Sequence, residues 1–369
     1  MRAVIWKNTW LPRSETFIRD QVAEYKRTEA ITFGLSRQPH PLTEPDLALL
    51  RRPRLVTAAD RVFTRSRHLD RLLGQAGGMC LIRLNPDFVH VHFGVDGMTA
   101  LGAIDVLRRP MIVTFHGYDA SAAGRPGLSR YFEALPTLFA RSSGMIAVSG
   151  FVADRLKHLG APTDRVHVHH IGVRLPAREA LAQSDDGYVL FVGRLVPKKG
   201  VDLLLRAFAT LPPDLRATPL VLVGDGPLRA ELEQLAHELH VDARFTGRLS
   251  SDQVASHVRA AALLCTPSKR APDGDSEGLP MVVLEAGAWG VPVVAADHAG
   301  IRDAIADGVN GLLFPEADAA ALAAALSSLL RDAAGRRALG AAAREVVEQR
   351  FDIVTQTVLL EDMYRSLVR

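Results

Sequence analysis

Cysteine is nearly missing from this chain of 369 residues: Cys80 and Cys265 are the only two, far apart and outside any C-x-x-C pair. That excludes a disulfide framework and a cysteine-based zinc site, and it fits a reducing compartment, the cytoplasm. No stretch approaches the roughly 20 consecutive apolar residues of a membrane-spanning helix. Glycine (29) and proline (21) follow no period, so collagen-like and solenoid architectures are also excluded. A secretion signal is not expected, because Met1-Arg2-Ala3-Val4-Ile5-Trp6-Lys7 lacks a basic stretch followed by a long apolar one. It reads as a first strand. Net charge is small, +3 from 44 basic and 41 acidic residues, which argues against a nucleic-acid partner.

What is present is apolar material, 48% of residues, over a length greater than one core usually serves. Two domains are expected. The small total charge hides an asymmetry: residues 1–175 carry 24 Lys+Arg against 15 Asp+Glu, or +9, which leaves −6 for residues 176–369. Short apolar runs ending in Gly, His or Ser alternate with helical stretches throughout, the pattern of parallel strands joined by crossover helices. Strands are predicted over 89–93, 111–115, 145–148 and 166–169, then over 188–192, 220–223, 263–266 and 292–295. Leu228, Leu232, Leu235 and Leu239 recur at helical spacing behind Pro227, and residues 317–330 behave likewise. Ser184-Asp185-Asp186-Gly187 ends a linker predicted over 176–187. The fold class is therefore α/β, with two Rossmann-like domains, 1–175 and 188–350, whose parallel sheets are expected to face each other across a cleft.

Ligands of such sheets bind at the C-terminal ends of the strands. After 188–192 comes Gly193-Arg194-Leu195-Val196-Pro197-Lys198-Lys199-Gly200, in which a glycine lets backbone approach closely and two kinds of cation stand near a helix predicted to start by Lys199. A forked guanidinium and a point-charge ammonium suit a diphosphate; a solvated basic turn is the plainer alternative. Gly224-Asp225-Gly226-Pro227 lacks the third glycine of a dinucleotide fingerprint and reads as a structural turn. The most informative segment is Asp273-Gly274-Asp275-Ser276-Glu277-Gly278-Leu279-Pro280-Met281-Val282-Val283-Leu284-Glu285. If a helix begins near Pro280, Glu277 lies in the loop feeding it and Glu285 in its second turn, with free amides from Gly278 to Val282. Carboxylates that accept from hydroxyls beside amides that donate to oxygens suit a sugar nucleotide, although glutamates on a helix are often only surface charge.

Gly193-Arg194-Leu195 with Lys199-Gly200, then Val223-Gly224-Asp225-Gly226-Pro227, Phe245-Thr246-Gly247, and Glu277 with Glu285, in that order, resemble a retaining glycosyltransferase of family 4 with the GT-B fold. The likeness runs from about Asp87 to Ala325. It implies that Arg194 and Lys199 steady the departing diphosphate, with Lys198 the less favoured partner. Glu277 would bind donor-sugar hydroxyls and Glu285 the ribose, while Gly193, Gly247, Gly278, Leu279, Pro280, Met281 and Val282 complete the donor site. Val113-Thr114-Phe115-His116-Gly117-Tyr118-Asp119 matches the family's strand-end histidine, so His116 joins Arg194, Lys199 and Glu277 as a catalytic candidate. Neither a metal nor any other cofactor is implied. The resemblance also implies that a C-terminal helix over 351–369 returns to complete the first domain.

The chain departs from the pattern after its first strand, where Trp10-Leu11-Pro12-Arg13-Ser14-Glu15-Thr16-Phe17-Ile18 replaces a glycine-rich loop. This variant, like Asp273–Pro280, is similar to members that build bacterial exopolysaccharides. Ser14 is a candidate helix cap, and Ser14, Glu15, Thr16, His92 and Asp119 are candidate acceptor-side residues. His90 and His92 share one face of a strand but make an incomplete metal set. His169 and His170 carry no functional reading.

The implied activity is metal-free transfer of a hexosyl unit from a nucleoside-diphosphate sugar, with UDP favoured over GDP, to a hydroxyl of a glycan, glycolipid or other small acceptor. Two alternatives stay open: a sugar-nucleotide epimerase of the same architecture, and a non-catalytic partner that binds nucleotide sugar. Between Arg51 and Leu73, seven arginines (Arg51, Arg52, Arg54, Arg61, Arg65, Arg67 and Arg71) alternate with Val62, Phe63, Leu69, Leu72 and Leu73. This reads either as a basic amphipathic helix on an anionic membrane, which would make the protein peripheral at the inner face of the cell membrane, or as a solvated helix face.

Overall fold

A computed structural model describes residues 1–12, 15–37, 41–50, 67–181 and 187–368. The chain divides into two compact units, Met1–Gly172 with Ile353–Arg369, and Val173–Asp352. Residues 173–181 belong to the second unit, where Arg344 donates to the Pro176 carbonyl at 2.9 Å and Arg178 pairs with Glu348. The linker predicted over 176–187 is thus anchored at its start, and residues 182–186 lie outside the described residues.

The first unit holds a seven-stranded parallel sheet: β1 (Arg2–Trp10), β2 (Glu29–Arg37), β3 (Leu47–Leu50), β4 (Phe88–His92), β5 (Met111–Phe115), β6 (Gly144–Ala147) and β7 (Val166–Val168), in the order β3-β2-β1-β4-β5-β6-β7. Every residue of β4 and β5 is buried, which is why β5 reads as an almost unbroken apolar run, broken in β4 only by His90 and His92: helices cover both faces of a parallel sheet. The strand order reverses between β1 and β4, so the loops leaving these two strands diverge and open a crevice at their C-terminal ends. His92, Phe93 and the Glu15 segment all stand at that end.

The C-terminal helix Ile353–Leu367 belongs to this unit. Its Tyr364 is fully buried with its ring 4.8 Å from Phe88, and Glu361, also fully buried, accepts the Arg27 amide at 2.7 Å. Burying a side chain of Tyr364's class contributes about 2 kcal/mol.

The second unit carries six parallel strands, β8 (Tyr188–Val192), β9 (Leu220–Val223), β10 (Ala243–Gly247), β11 (Ala261–Thr266), β12 (Val293–Ala296) and β13 (Leu312–Phe314), in the order β10-β9-β8-β11-β12-β13. Its core joins Phe191, Leu204, Phe208, Leu222, Leu263 and Leu326. The order reverses between β8 and β11, and the two predicted donor segments leave these two strands. Strands β2, β3, β10 and β13 were not predicted. β3, β10 and β13 are short edge strands, and β2 interrupts its apolar residues with Thr32, Gly34 and Ser36.

Candidate functional site

In the second unit the loops after β8, β9 and β10 are laced by backbone. Gly193 N–H donates to Val223 O and Gly224 N–H to Gly247 O, both at 2.9 Å. Gly224 sits at φ +138°, and a Cβ there would lie 1.8 Å from the Gly193 carbonyl oxygen, so only glycine lets these loops touch. The Gly224–Gly226 turn is structural, as its sequence suggests. The helix predicted near Lys199 starts just beyond it. A single 3-10 turn, Pro197–Lys199, ends at left-handed Gly200, and the helix Val201–Ala209 starts beyond it. This geometry turns the Lys199 side chain alongside Gly193: a Cβ on Gly193 would stand 3.4 Å from Lys199 Cε.

Lys199 Nζ reaches Glu277 Oε1 at 2.7 Å, and Ser268 Oγ donates to the same oxygen at 3.2 Å. Lys198 pairs instead with Asp275, at 3.1 Å. Glu277 is buried. Burial pushes its carboxyl upward, but Lys199, Lys198 and the hydrogen bonds from Lys199 and Ser268 outweigh burial and hold it at about 2. It is therefore ionised at neutral pH, with Oε2 still open to a hydroxyl donor. Arg194 is exposed, and its guanidinium makes no ion pair or hydrogen bond among the described residues.

The helix after this loop, Met281–Ala288, begins behind Pro280 with no side-chain cap. Val283 N–H returns to Pro280 O, whereas the amides of Gly278, Leu279, Met281 and Val282 find no acceptor among the described residues. Unpaired amides at the positive end of a helix dipole attract anionic oxygen. Glu285 is half-buried in the second turn. One end of the sheet thus gathers two cations, a fixed carboxylate and donor amides, a set able to hold a diphosphate and hydroxyls together. Gly247 joins it through backbone, at the end of β10 with φ +75°.

In the first unit, His116 follows β5. Its Nε2 lies 3.1 Å from His92 Nδ1, and its ring packs 4.3 Å from Phe93 and 5.0 Å from Phe17. Burial, aided by the charges of Lys7 and His90, lowers His116 well below the usual imidazole range, and burial with His90, His116 and Lys7 does the same to His92. Both rings are neutral, with His116 Nδ1 and His92 Nε2 unpartnered among the described residues. His90 is committed elsewhere: it bonds Thr114 Oγ1 and the Tyr364 hydroxyl, both at 2.7 Å, and burial, with His169, lowers it to about 3.

Asp119 sits beneath this loop, fully buried. Its carboxylate accepts the amides of Gly94 (2.9 Å), His116 (3.0 Å) and Gly117 (2.9 Å), so it staples the β4 and β5 loops and positions His116. Burial pushes it up to about 6 against the pull of these amides. Thr16 opens the helix Thr16–Ala23 and is half-buried; Ser14 lies outside the described residues.

Two residues here escaped the sequence reading, Lys7 and Asp96. Lys7 Nζ stands 3.3 Å from Glu15 Oε1, 3.1 Å from Asp96 Oδ2 and 4.0 Å over the Phe93 ring. Burial works against the Lys7 charge, but Asp96 and Glu15 outweigh it and raise its titration above the ordinary lysine value. Burial pushes the Glu15 carboxyl up to about 7, Lys7 opposing and Asp96 adding to the push, and Glu15 Oε2 has no partner among the described residues. Phe93, the hub of this cluster, holds φ +73°, a conformation costly outside glycine that persists where surrounding structure enforces it. A lysine directly after the apolar Ala3–Trp6 run, inside the same strand, was the available signal. In the second unit Ser268, the first hydroxyl beyond β11, was the corresponding one.

Comparison with known proteins agrees with this arrangement of parts. The family model described as "Glycosyl transferases group 1" matches residues 176–346, and that of "Glycosyltransferase Family 4" matches residues 29–175. WcaL of Salmonella typhimurium, ascribed to colanic acid biosynthesis, is 34% identical over 72% of this chain and 67% of its own length. AmsK of Erwinia amylovora, an amylovoran biosynthesis glycosyltransferase, is 32% identical over the same shares. Among solved structures, HepE of Anabaena in complex with UDP shares the fold at a TM-score of 0.77 and 20% identity, covering 99% of this chain and 100% of that one. Both halves of the chain match; the chain belongs to glycosyltransferase family 4, with the GT-B fold.

Proposed function

We propose that the protein transfers a hexosyl unit from a nucleoside-diphosphate sugar to a hydroxyl of a glycan, glycolipid or other small acceptor, retaining the anomeric configuration and using no metal, in polysaccharide or glycoconjugate biosynthesis. The observation that carries this reading is the Lys199–Glu277 pair at 2.7 Å beside the four unpaired amides of residues 278–282. WcaL and AmsK are named for exopolysaccharides, and HepE has been crystallised with UDP and with UDP-glucose, which favours uridine over guanosine donors.

In this mechanism the bond between the sugar's anomeric carbon and the diphosphate oxygen breaks while the acceptor oxygen bonds to the same face, and the acceptor's proton passes to the departing phosphate. Arg194, its donors uncommitted, and the two Lys199 protons not directed at Glu277 stabilise the negative charge that grows on the diphosphate. The amides of Gly278 to Val282 hold phosphate and sugar oxygens, Glu277 Oε2 accepts from a sugar hydroxyl, and Glu285 accepts from the ribose. The first unit supplies the neutral imidazole of His116 and the Glu15 carboxyl as hydrogen-bond partners for hydroxyls.

A thermal-shift panel of nucleoside diphosphates and their sugars, with and without a divalent cation, tests the donor. Stabilisation by a uridine nucleotide without metal is expected; a shift seen only with metal removes the metal-free reading. Incubation with donor alone separates the epimerase, which converts the sugar without acceptor, and a binder shows ligand-induced stabilisation with no turnover.

We further propose peripheral contact with an anionic membrane through residues 51–73. Most of that segment lies outside the described residues, but the helix Arg67–Leu81, which begins within it, exposes Leu72 (61%) and Met79 (60%), the mixture that binds such surfaces. Among the described residues no helix is long and apolar enough to cross a membrane. Sedimentation with anionic liposomes at low salt and release at high salt is expected; indifference to lipid charge removes the proposal.

A further inference from the structure

At the C-terminal end of the second sheet stands a group that the reading above does not use. β11 pairs with β12 through Thr266 and Ala295, so the loop that leaves β12 runs beside the loop that leaves β11. The two are tied again further out: Gly300 N–H points to the Glu277 carbonyl at 3.5 Å. Between these ties lies His298. It is 6% exposed, its Nδ1 is 2.8 Å from Glu316 Oε2, and its Nε2 has no partner among the described residues. The other Glu316 oxygen accepts the amide of Arg270, at 2.6 Å, within the segment that carries Ser268 and Glu277. Asp297 is fastened by its amide to Phe314 O at 2.8 Å and by its carboxylate to Arg302. The imidazole is thus gripped on one side by a carboxylate and framed by two anchored loops.

We propose that His298 contacts the transferred sugar, its Nε2 accepting a hydrogen bond from a sugar hydroxyl while Glu316 acts as a positioning residue that fixes the ring. The chemistry follows from the pair. An ionised carboxylate only accepts, so Nδ1 carries the proton facing Glu316, and in that tautomer Nε2 presents its lone pair away from Glu316. A buried acceptor facing no donor is an arrangement folded proteins seldom keep unless a water or ligand completes it. A hydroxyl of the donor sugar is such a donor at this end of the sheet. Glu277 and His298, fixed by different partners on adjacent loops, would then read different hydroxyls, which makes His298 a determinant of which hexose is accepted.

This inference rests on the reading of the second unit as the donor site, and its test separates the two. The affinities of the full-length protein for UDP, UDP-glucose, UDP-galactose and UDP-N-acetylglucosamine are measured by calorimetry for the wild type, His298→Asn and His298→Gln. Asparagine keeps a donor to Glu316 but has no atom at the Nε2 position, whereas glutamine carries an amide there. The expected result is that His298→Asn loses about tenfold or more of the affinity for the preferred UDP-sugar, with UDP binding unchanged within about twofold, and that His298→Gln restores part of the loss. A purely structural role would move UDP and UDP-sugar affinities together. That outcome, or unchanged affinity for both, overturns the proposal. If neither a uridine nor a guanosine diphosphate binds the wild type, the donor reading itself fails and takes the proposal with it.

Discussion

Each unit sets a lysine against a carboxylate at the end of its sheet, and the two pairs have opposite electrostatic outcomes. In the second unit one carboxylate, Glu277, faces Lys199 and Lys198 and accepts from Ser268; charge overcomes burial, and the group is held at about 2. In the first, one ammonium, Lys7, is shared between Glu15 and Asp96; burial prevails, and Glu15 rises to about 7. The difference is a ratio of cations to carboxylates, and it suits the proposed work of each side. A site for a diphosphate needs fixed charge at neutral pH. A site for hydroxyls is better made of neutral imidazoles and a carboxyl that can hold or release a proton.

The largest effects should come from the charged side. Arg194→Ala and Lys199→Ala are each expected to lower turnover about a hundredfold, roughly 3 kcal/mol of transition-state stabilisation. They should differ in stability. Arg194 has no side-chain partner to orphan, so its melting temperature should stay put, whereas Lys199→Ala strands the buried Glu277 and should cost about 3 kcal/mol as well. Transfer assays beside denaturant titrations would show whether the two effects part in this way.

The next effect is pH-dependent, with opposite signs in the two units. The folded value of Glu277, about 2, lies below its ordinary 4.5, so its contribution is complete above pH 4.5 and disappears as pH falls toward 2. The amount is about 3 kcal/mol. The folded value of Glu15, about 7, lies above 4.5, so the native state holds the proton more tightly and stability declines as pH rises from 4.5 to 7, by up to about 3 kcal/mol. Urea midpoints across pH should flatten in the acid range for Glu277→Gln and in the 4.5–7 range for Glu15→Gln. Midpoints that keep their slope in both variants would contradict the contrast.

Smallest is the loss expected for Tyr364→Phe, which removes one hydroxyl from the Tyr25–Tyr364–His90 chain, whose links are both 2.7 Å. About 1 kcal/mol is expected from equilibrium unfolding, with UDP binding in the second unit unaffected.

The central strands were legible because parallel sheets bury both faces and so write themselves as apolar runs; β5, β8 and β9 appear with the predicted limits. Edge strands such as β3 and β13 are too short to carry a period of their own. Lys199 and Glu277 could be named in advance because each lies just beyond a readable strand, although the 3-10 turn and the left-handed Gly200 behind Lys199 could not. Lys7 was hidden for the opposite reason: it lies inside a strand, where a cation looks like an interruption until Asp96, from a distant helix, and Glu15 come to meet it.

Composition, apolar period and ordered motifs were enough to establish a two-domain α/β chain and its family, because these properties depend on residue types along the chain. They named the groups of the donor site but not their states. Which carboxylate is ionised, which lysine serves Glu277 and which Asp275, and that Asp119 holds a loop rather than facing a ligand depend on distances of a few ångströms between residues far apart in sequence. Coulomb energy and burial act through space, so folding alone settles them.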